Sequence, residues 1–476
     1  MSNPASDMST PLHYLPLAEQ ARRIRAGELS SVALVRAYLG RIRTHNPQLN
    51  SFITVDEDAA IAAARMIDDA IARGENPGPL AGVPIGAKDS IPTKGLRTTD
   101  NSNLLREWIP DHDASAVARL RASGAIIIGK TNLNEFGWSR PSEADLAPPP
   151  WNPWNQKYAS VGSSSGSGAA ASGGLASATI GTDGGGSIRL PGGSHGLIGI
   201  KPTHGLVSRH GMDHNSHSEI SPLTRTVEDA ALMLDALAGF VPEDDMSWPG
   251  TAVGYAANLK SVDVRGWRVG VPWTFVRSAP NEPEVMEAFE TFLAKLESVG
   301  CEIVDVPVRG LAEARMANFL VLNAETYQRH AKSLNLNWER YGEITRVYLL
   351  QGAYLSAQDL LNASEVGRAV RGLLETEVFS RDGSGARALA MPTSPFVTAE
   401  RSRRPGEHSR GINACYTAPF NITGHPSASV PSGFSSSTGL PIGSMLTTTL
   451  HDDLGLLQLA YAHEQATDWH TRHPEL

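Results

Sequence analysis

Apolar residues follow two patterns along the chain, recurring at every third or fourth position in some stretches and forming short unbroken runs in others. The first pattern predicts helices with one buried face. One such helix begins at Ser30 or Ser31, either of which can cap it, and keeps its apolar face as far as Ile42. A second helix, rich in alanine and isoleucine, is predicted over residues 56–72. The N-terminal part is therefore expected to be helical.

The short apolar runs predict the strands of a buried sheet. Residues 83–87 and 125–129 are brief and rich in branched side chains, which is typical of strands covered on both faces. A helix over residues 115–123 would join them in a parallel crossover. The second half is expected to contain a helix over 226–237, a strand over 267–271, a helix over 282–299, a strand over 302–306, mainly helix to 380, strands and turns over 388–431, and a last helix over 454–469.

Residues 151–202 differ in composition from the rest of the chain, because glycine, serine and alanine dominate them. Apolar residues still return regularly in this stretch, which would not be so in a flexible linker. We interpret the stretch as tight turns and closely packed backbone.

Composition narrows the class of protein. The chain has 476 residues, of which 41% are hydrophobic, enough for a sizeable core. Its formal net charge of -9 argues against a dedicated nucleic-acid binder, which would present a basic face. Two cysteines, Cys301 and Cys415, are too few for a disulfide framework or a zinc ribbon, so reduced thiols in a cytoplasmic protein are expected. We expect neither a signal peptide nor a membrane span of roughly 18 apolar residues.

Lys88 ends the apolar run from Gly82 to Ala87 and precedes Asp89. A lysine at a strand end can be exposed and paired with an acid, and composition alone favours that interpretation. A desolvated lysine would instead have a lowered pKa and could accept a proton near neutral pH. The run alone leaves both interpretations open.

A serine-rich segment offers two further patterns. Residues 162–166 match G-x-S-x-G, which would make Ser164 a nucleophile at a strand-to-helix elbow. That motif needs a buried strand before it, and residues 156–160 make a poor strand. Residues 166–171 fit a loose dinucleotide-binding pattern that lacks the same strand. Both patterns are therefore weak.

Three glycines, Gly184, Gly185 and Gly186, stand directly before Ser187. Glycine permits unusual backbone dihedrals and lets a ligand approach closely. The N–H groups of such a run can converge on one oxygen, as an oxyanion hole requires. The alternative is a plain glycine turn between strands, and the run alone favours neither.

In combination, these segments resemble the amidase signature family. The resemblance rests on Gly-Val-Pro-Ile-Gly-Ala-Lys88-Asp, on Gly162-Ser163-Ser164-Ser165-Gly166-Ser167 and on Gly-Thr-Asp-Gly-Gly-Gly-Ser187-Ile-Arg-Leu-Pro, in the family's order and at its spacing. Further matches run along nearly the whole chain, at residues 129–133, 152–154, 199–203, 224–230, 391–393 and 421–426.

The resemblance implies an α/β fold with one α/β/α domain over residues 1–476, built on a large mixed β-sheet flanked by helices. We expect N-terminal helices (1–75), a signature core (76–240), a helical region that walls the cleft (241–387) and a return to the core (388–476).

The resemblance also implies a mechanism. Ser187 would attack a carbonyl carbon, and Ser163, held after a cis peptide bond, would relay its proton. Lys88, neutral at rest, would be the ultimate base, in place of the more familiar histidine. The glycine run would form the oxyanion hole, while Asp183 and Arg189 would hold the glycine loop rather than react. No metal and no cofactor would be required.

Departures from the family pattern bear on the substrate. Many members have a bulkier residue where Gly184 stands, so a wider acyl pocket is expected. The glutamine-using transamidase subunits carry an acidic residue in a Ser-Leu-Asp-like stretch, where residues 214–219 read His-Asn-Ser-His-Ser-Glu. Residues 132–138 look closer to stand-alone aryl and peptide amidases. Trp138 is expected either to line an apolar substrate pocket or to be an ordinary core tryptophan.

Five histidines, at positions 195, 204, 210, 214 and 217, are close together in sequence. Their spacing matches no zinc pattern, and few acidic or thiol partners are nearby. We expect loop histidines that face the cleft rather than a metal site.

The resulting hypothesis is an amidohydrolase that cleaves neutral amides, anilides among them, with carbamates and esters as further substrates, through an acyl-enzyme. Its partner would be a small molecule, with no nucleic acid and no membrane, and it would be a monomer or homodimer. The alternative is an amidotransferase subunit that acts on an aminoacyl-tRNA with partner subunits. A non-catalytic role is disfavoured, because Lys88, Ser163 and Ser187 are all present.

Overall fold

The short apolar runs of the sequence form the strands of one mixed sheet. The computed structural model describes residues 10–138, 145–213, 215–250, 253–400 and 415–476. The strands are β1 (Phe52–Val55), β2 (Pro84–Lys88), β3 (Ile126–Thr131), β4 (Ala178–Asp183), β5 (Ile198–Lys201), β6 (Glu219–Thr224), β7 (Arg268–Val271), β8 (Glu302–Asp305), β9 (Ala388–Pro392), β10 (Ser427–Phe434) and β11 (Pro441–Thr448). They form an 11-stranded sheet in the order β1-β3-β2-β4-β6-β5-β10-β11-β9-β7-β8.

Helices flank this sheet, as the expected α/β fold requires. They are α1 (Leu17–Arg25), α2 (Ser31–Leu49), α3 (Glu57–Ala72), α4 (Ser115–Ala122), α5 (Ser165–Ser172), α6 (Arg189–His195), α7 (Val227–Leu237), α8 (Tyr255–Asn258), α9 (Trp273–Arg277), α10 (Pro283–Ser298), α11 (Leu311–Leu336), α12 (Glu343–Ala353), α13 (Ala357–Leu373), α14 (Pro419–Ile422) and α15 (Asp453–Gln465). A π-helical turn, Leu374–Phe379, extends α13. Short 3₁₀ turns lie at Leu12–Tyr14, Asn103–Leu105, Glu135–Gly137, Trp338–Arg340 and Trp469–Thr471.

The predicted parallel crossover is confirmed. Strand β2 pairs in parallel with β3, with α4 between them along the chain, and β2 also pairs in parallel with β4. In the second pair Ala87 lies opposite Ile180. The carboxyl ends of β2 and β4 therefore meet at one edge of the sheet, where Lys88 and Asp183 end their strands.

Side-chain caps explain where three of the predicted helices begin. A cap oxygen accepts a backbone N–H that the first helical turn would otherwise leave unpaired. The caps are Ser30 for α2, Asp56 for α3 and Thr226 for α7.

Residues 151–202 hold more regular structure than the predicted turns. Helices α5 and α6 consist largely of small residues, which allow backbone segments to approach closely. A Cβ on Gly166 would lie 2.4 Å from the backbone N of Asn132 and 2.5 Å from the carbonyl O of Ser51. The glycine in α5 therefore serves close packing against the β1–β3 side of the sheet.

The last helix is shorter than predicted. It ends at Gln465 rather than near residue 469. The hydroxyl of Thr467 donates to the carbonyls of His463 and Glu464, which satisfies acceptors that the helix end leaves open. A local side chain thus competes with continuation of the helix.

Apolar side chains fill both faces of the sheet. One large cluster packs around β2, β3 and β4, and a second lies where α11 and α13 cover β9. Both cysteines are free and buried. Within the described ranges, no helix is long and apolar enough to cross a membrane.

We predict that Gly166→Ala lowers the free energy of unfolding by about 1–3 kcal/mol, because the new methyl group meets backbone atoms that cannot move aside. The matched control is Gly372→Ala in α13, where nothing lies within 4 Å of the new Cβ. That change should raise stability by about 0.5–1 kcal/mol, since alanine favours the helix. Urea unfolding of both variants is the measurement, and equal effects would contradict the close-packing argument.

Candidate active site

Lys88 is a fully buried lysine at the end of β2. Its Nζ donates to Ser163 Oγ and to Thr182 Oγ1, both at 2.8 Å. Burial lowers the pKa of Lys88 to about 7, although the charges of Asp100 and Asp183 act to raise it. The amine can therefore be neutral near pH 7 and accept a proton.

Ser163 follows a cis peptide bond from Gly162, as the resemblance implies. It directly precedes Ser164, whose backbone N–H donates to the carbonyl of Ser187 at 3.3 Å. The segment that carries Ser163 is therefore held against the segment that carries Ser187. Both lie at the edge of the sheet where β2 and β4 end.

A tight turn approaches the lysine–serine pair from another side. Gly137 has a left-handed φ of +67° and ends the 3₁₀ turn that begins at Glu135. A Cβ on Gly137 would lie 3.4 Å from Ser163 Oγ and 3.7 Å from Lys88 Nζ. Glycine suits this position because a side chain would be strained by φ and would crowd the pair.

Trp138 follows that turn and is partly buried. It packs beside a small apolar cluster of Leu334, Tyr341 and Leu349. Its Nε1 is buried without a hydrogen-bond partner among the described residues. Trp138 therefore packs against apolar side chains one residue from Gly137.

The glycine loop is held by a buried ion pair. Asp183 and Arg189 are joined at 2.9 Å, and both side chains are fully buried. The Asp183 carboxylate also accepts the backbone N–H of Gly186 at 2.7 Å. Burial acts to raise the pKa of Asp183, but the charge and hydrogen bonds of Arg189 hold it well below its usual range. The carboxylate therefore stays ionised and fixes the loop before Ser187.

The three glycines of the loop differ in what their N–H groups can do. The N–H of Gly186 is occupied by the carboxylate described above. The N–H groups of Gly184 and Gly185 have no partner among the described residues. Their carbonyls accept instead from Asn318 Nδ2 at 2.9 Å and Thr417 Oγ1 at 2.7 Å. Two amides of the loop are thus open to an oxygen of a ligand.

Helix α11 forms an apolar wall over this loop. A Cβ on Gly185 would lie 3.4 Å from Phe319 Cε1 and 3.8 Å from Leu322 Cδ1. One on Gly184 would lie 3.6 Å from the other methyl group of Leu322. Because Gly184 and Gly185 carry no side chains, the space between the loop and α11 is kept open.

The serine elbow does not form. Residues 156–160 contribute only isolated bridges, so no strand precedes Ser164. The Ser164 hydroxyl is buried and donates to the carbonyl of Thr182 at 3.3 Å. The dinucleotide-binding pattern at 166–171 lacks its strand for the same reason.

The histidines do not converge on one point. In the parts of the chain that the structure describes, no group of three His, Cys, Asp or Glu side chains could hold a metal ion. Burial lowers the pKa of His217 to about 4. The others are distributed as follows: His195 contacts Ser160, His204 pairs with Glu219, His210 is exposed, and His214 lies outside the described residues.

Three residues near the site received no role from the sequence. Thr182 stands in the glycine motif, and the parallel pairing of β2 with β4 could have indicated its contact with Lys88. Asn421 stands in a matched segment and donates to the Asp183 carboxylate at 3.0 Å. Asp100 lies in a loop that no motif covers.

The fold and the buried lysine–serine pair together define an α/β enzyme. A profile of the amidase family matches residues 33–457. The chain belongs to the amidase signature family, whose members have hydrolase or amidotransferase activity.

Relatives are found in both groups. The A subunit of the glutamyl-tRNA(Gln) amidotransferase of Roseiflexus sp. (strain RS-1) is 36% identical, over 98% of this chain and 99% of that protein. The corresponding protein from Thermotoga maritima has a solved structure with a TM-score of 0.79 at 29% identity, covering 96% of this chain and 95% of that one. The native peptide amidase from Stenotrophomonas maltophilia has a TM-score of 0.82 at 29% identity, covering 98% and 99%.

The expectation that the chain is closer to stand-alone aryl and peptide amidases is wrong. Curated relatives at 33–36% identity over nearly the whole chain are the A subunits of glutamyl-tRNA(Gln) amidotransferases. The expectation rested on residues 132–138 and 214–219. Such short segments beside a cleft can vary with little effect on the fold, so they indicate less than identity spread over the full length.

The expected partners are corrected as well. We expected a small-molecule substrate, no nucleic acid, and a monomer or homodimer, whereas these relatives are named as subunits of an amidotransferase for glutamyl-tRNA. The expectation rested on the net charge of -9. Net charge averages over the whole surface, so it cannot report a local contact or one made through another subunit.

We predict that Arg189→Met lowers the free energy of unfolding by about 3–5 kcal/mol, because it leaves the buried Asp183 carboxylate unpaired. Asp183→Asn combined with Arg189→Met should recover part of that loss, since no buried charge then remains. Urea unfolding of the single and double variants provides the measurement. If the double variant is no more stable than Arg189→Met alone, the ion pair is not what holds the loop.

Proposed function

We propose that the chain cleaves the C–N bond of an amide through an acyl-enzyme on Ser187. The observation that carries this proposal is the 2.8 Å contact between the buried amine of Lys88 and the hydroxyl of Ser163. A serine hydroxyl is a weak nucleophile until a base takes its proton. A lysine with a pKa near 7 is suited to that task.

The proposed steps run from Ser187 through Ser163 to Lys88, and the last transfer follows the observed hydrogen bond between Ser163 and Lys88. Ser187 Oγ attacks the carbonyl carbon while its proton passes to Ser163, whose own proton passes to Lys88. The oxyanion is held by the N–H groups of Gly184 and Gly185, each worth roughly 2.7–4 kcal/mol in such a site. Lys88 then returns a proton through Ser163 to the leaving amine, and the acyl group stays on Ser187 until water or another acceptor removes it.

In this proposal Gly186, Asp183 and Arg189 support the site. The Gly186 N–H is bound to Asp183, so we assign it to the scaffold of the loop rather than to the oxyanion hole. Arg189 keeps Asp183 ionised, which preserves the hydrogen bonds that orient the loop. None of these steps uses a metal or a cofactor.

We further propose that this chemistry serves an amidotransferase. In that setting the chain would release the amine of a donor amide, and partner subunits would direct it to a carboxyl group carried on a tRNA. Support comes from full-length identity of 33–36% to the A subunits of glutamyl-tRNA(Gln) amidotransferases. Surfaces that bind partner subunits lie outside the catalytic segments. If the two proteins form the same kind of assembly, we expect their sequences to be similar over the full length.

A second candidate is an amidohydrolase that acts on neutral amides, anilides, carbamates or esters. One observation favours it. Transamidase subunits are expected to carry an acidic residue in the stretch that here ends in Glu219. Glu219 is buried and bound to His204 and the backbone N–H of Gly205. That carboxylate is therefore committed to the core and is not available to a donor amide in the cleft.

Ammonia release from glutamine distinguishes the two candidates. The purified chain would be assayed alone and with the partner subunits encoded by its host, using a benzamide and an acetanilide for comparison. The amidotransferase proposal expects glutamine turnover that rises when the partners and charged tRNA are added. Rapid anilide turnover by the chain alone, with no effect of partners, would support the second candidate instead.

Ser187→Ala should abolish every activity, whereas Ser164→Ala, beside the pair, should retain most of it.

The pH dependence of kcat/KM tests the role of Lys88. Only the neutral amine can accept a proton, so activity should rise as pH increases through about 7 and level off above it. Lys88→Arg should be as inactive as Lys88→Ala, with a loss of roughly 10²–10⁴-fold, because a guanidinium keeps its charge at these pH values. Near-normal activity in Lys88→Arg would show that another group is the base.

A further inference from the structure

Asp100 is a partly buried acid in the loop after the strand end that carries Lys88, and none of the proposed steps uses it. Its φ of 52° is left-handed. Its backbone N–H donates to the carbonyl of Asp89, the residue after Lys88, at 3.1 Å, and its carbonyl accepts from Phe136 N at 3.0 Å. The turn at Asp100 is therefore joined both to the strand end that carries Lys88 and to the turn that places Gly137 beside it.

The side chain of Asp100 makes no hydrogen bond or ion pair within the described residues, and its Oδ1 is buried without a partner. Burial raises the pKa of Asp100 to about 7; the charge of Asp89 raises it further, while those of Lys88 and Arg329 lower it. A buried polar group without a partner costs stability. Such a cost is commonly tolerated where the group has a task in function.

A negative charge nearby favours the protonated form of a buried lysine. The direct partners of Lys88 are the hydroxyls of Ser163 and Thr182, which carry no charge. Two carboxyl groups act on it through space, those of Asp100 and Asp183. Asp183 is already paired with a guanidinium at 2.9 Å. Of these two acids, Asp100 is the one that forms no ion pair within the described residues, although the charge of Arg329 also acts on it.

We propose that Asp100 is the counter-charge of Lys88, a positioning residue that stabilises the ammonium formed when Ser187 attacks and that does not itself touch the substrate. The inference rests on the proposed function, because it needs Lys88 to be the base.

Besides Lys88, the charged groups that face Asp100 are Asp89, Arg329, Asp213 and Lys130, and Asp89 Oδ1 and Arg329 Nη1 have no hydrogen-bond partner among the described residues. Asp89 accepts from Thr99 and lies near the buried Lys130. Arg329 pairs with Asp213 at 3.4 Å. Only the ionised form of Asp100 can stabilise a protonated Lys88. The attack of Ser187 on a carbonyl or phosphoryl group is therefore fastest at a pH where Asp100 is ionised and Lys88 is neutral.

The test measures the rate at which Ser187 is labelled by a fluorophosphonate carrying a fluorophore, as a function of pH. In this reaction Ser187 Oγ displaces fluoride from phosphorus and its proton passes to Lys88, so no natural substrate is needed. Asp100→Asn should shift the rising limb of the profile to lower pH by about 1 unit, because removing a nearby negative charge makes Lys88 easier to deprotonate. The rate on the plateau should fall several-fold, because the weaker base accepts the proton less readily.

Two variants keep the result independent of folding. Asparagine adopts left-handed φ more readily than most residues, and Asp100→Gly removes the charge while relieving that φ altogether. Both should show the same shift. The matched control is Asp213→Asn, which removes a charge from a side chain that is 78% exposed and screened by water.

The inference is overturned if the limb stays in place in both Asp100 variants, or if Asp213→Asn shifts it equally. A failure of the proposed function looks different: the wild type would not be labelled, or Ser187→Ala would be labelled at the same rate.

Discussion

The arrangement of the site depends on one constraint, the burial of the Lys88 amine against two hydroxyl groups. Burial is produced by the sheet, because the parallel pairing of β2 with β4 sets Lys88 beside Thr182. The Gly137 turn lies so near the pair that a Cβ at Gly137 would be in van der Waals contact with both groups. Desolvation then lowers the pKa of the lysine to about 7. Without this burial, Lys88 would be an ordinary cation near neutral pH and could not serve as the proposed base.

The buried ionisable groups of Asp183 and Lys88 have opposite kinds of partner. Asp183 forms an ion pair with the Arg189 guanidinium at 2.9 Å and accepts further hydrogen bonds. It therefore stays ionised and holds the glycine loop in place. The direct hydrogen-bond partners of Lys88 are two uncharged hydroxyl groups, so the lysine can gain or lose its proton. Arginine suits the first case because it does not lose its proton, and lysine suits the second because burial shifts its pKa readily. The difference separates the scaffold of the site from its proposed base.

Features carried by one continuous segment of the chain could be predicted from the sequence, whereas features that depend on tertiary packing could not. The strands β2 and β3 and the helix between them were predictable because their apolar patterns are continuous. Helices α5 and α6 were missed, since small residues carry no periodic apolar signal. The motifs around Lys88, Ser163 and Ser187 were found as continuous segments. Asp100 was not, because it reaches the site only through the packing of a loop.

The two candidate functions share one chemical core and differ in what surrounds it. Attack by Ser187 releases an amine and leaves an acyl group in either case, so the lysine–serine arrangement cannot distinguish a hydrolase from a transferase. The difference lies in which molecules reach the amine and the acyl group. The walls that lie nearest the glycine loop are α11 and the segment that holds Ser218. Because these walls consist of loops and a helix outside the catalytic motifs, they can change while the core stays constant, which is how one family can contain both activities.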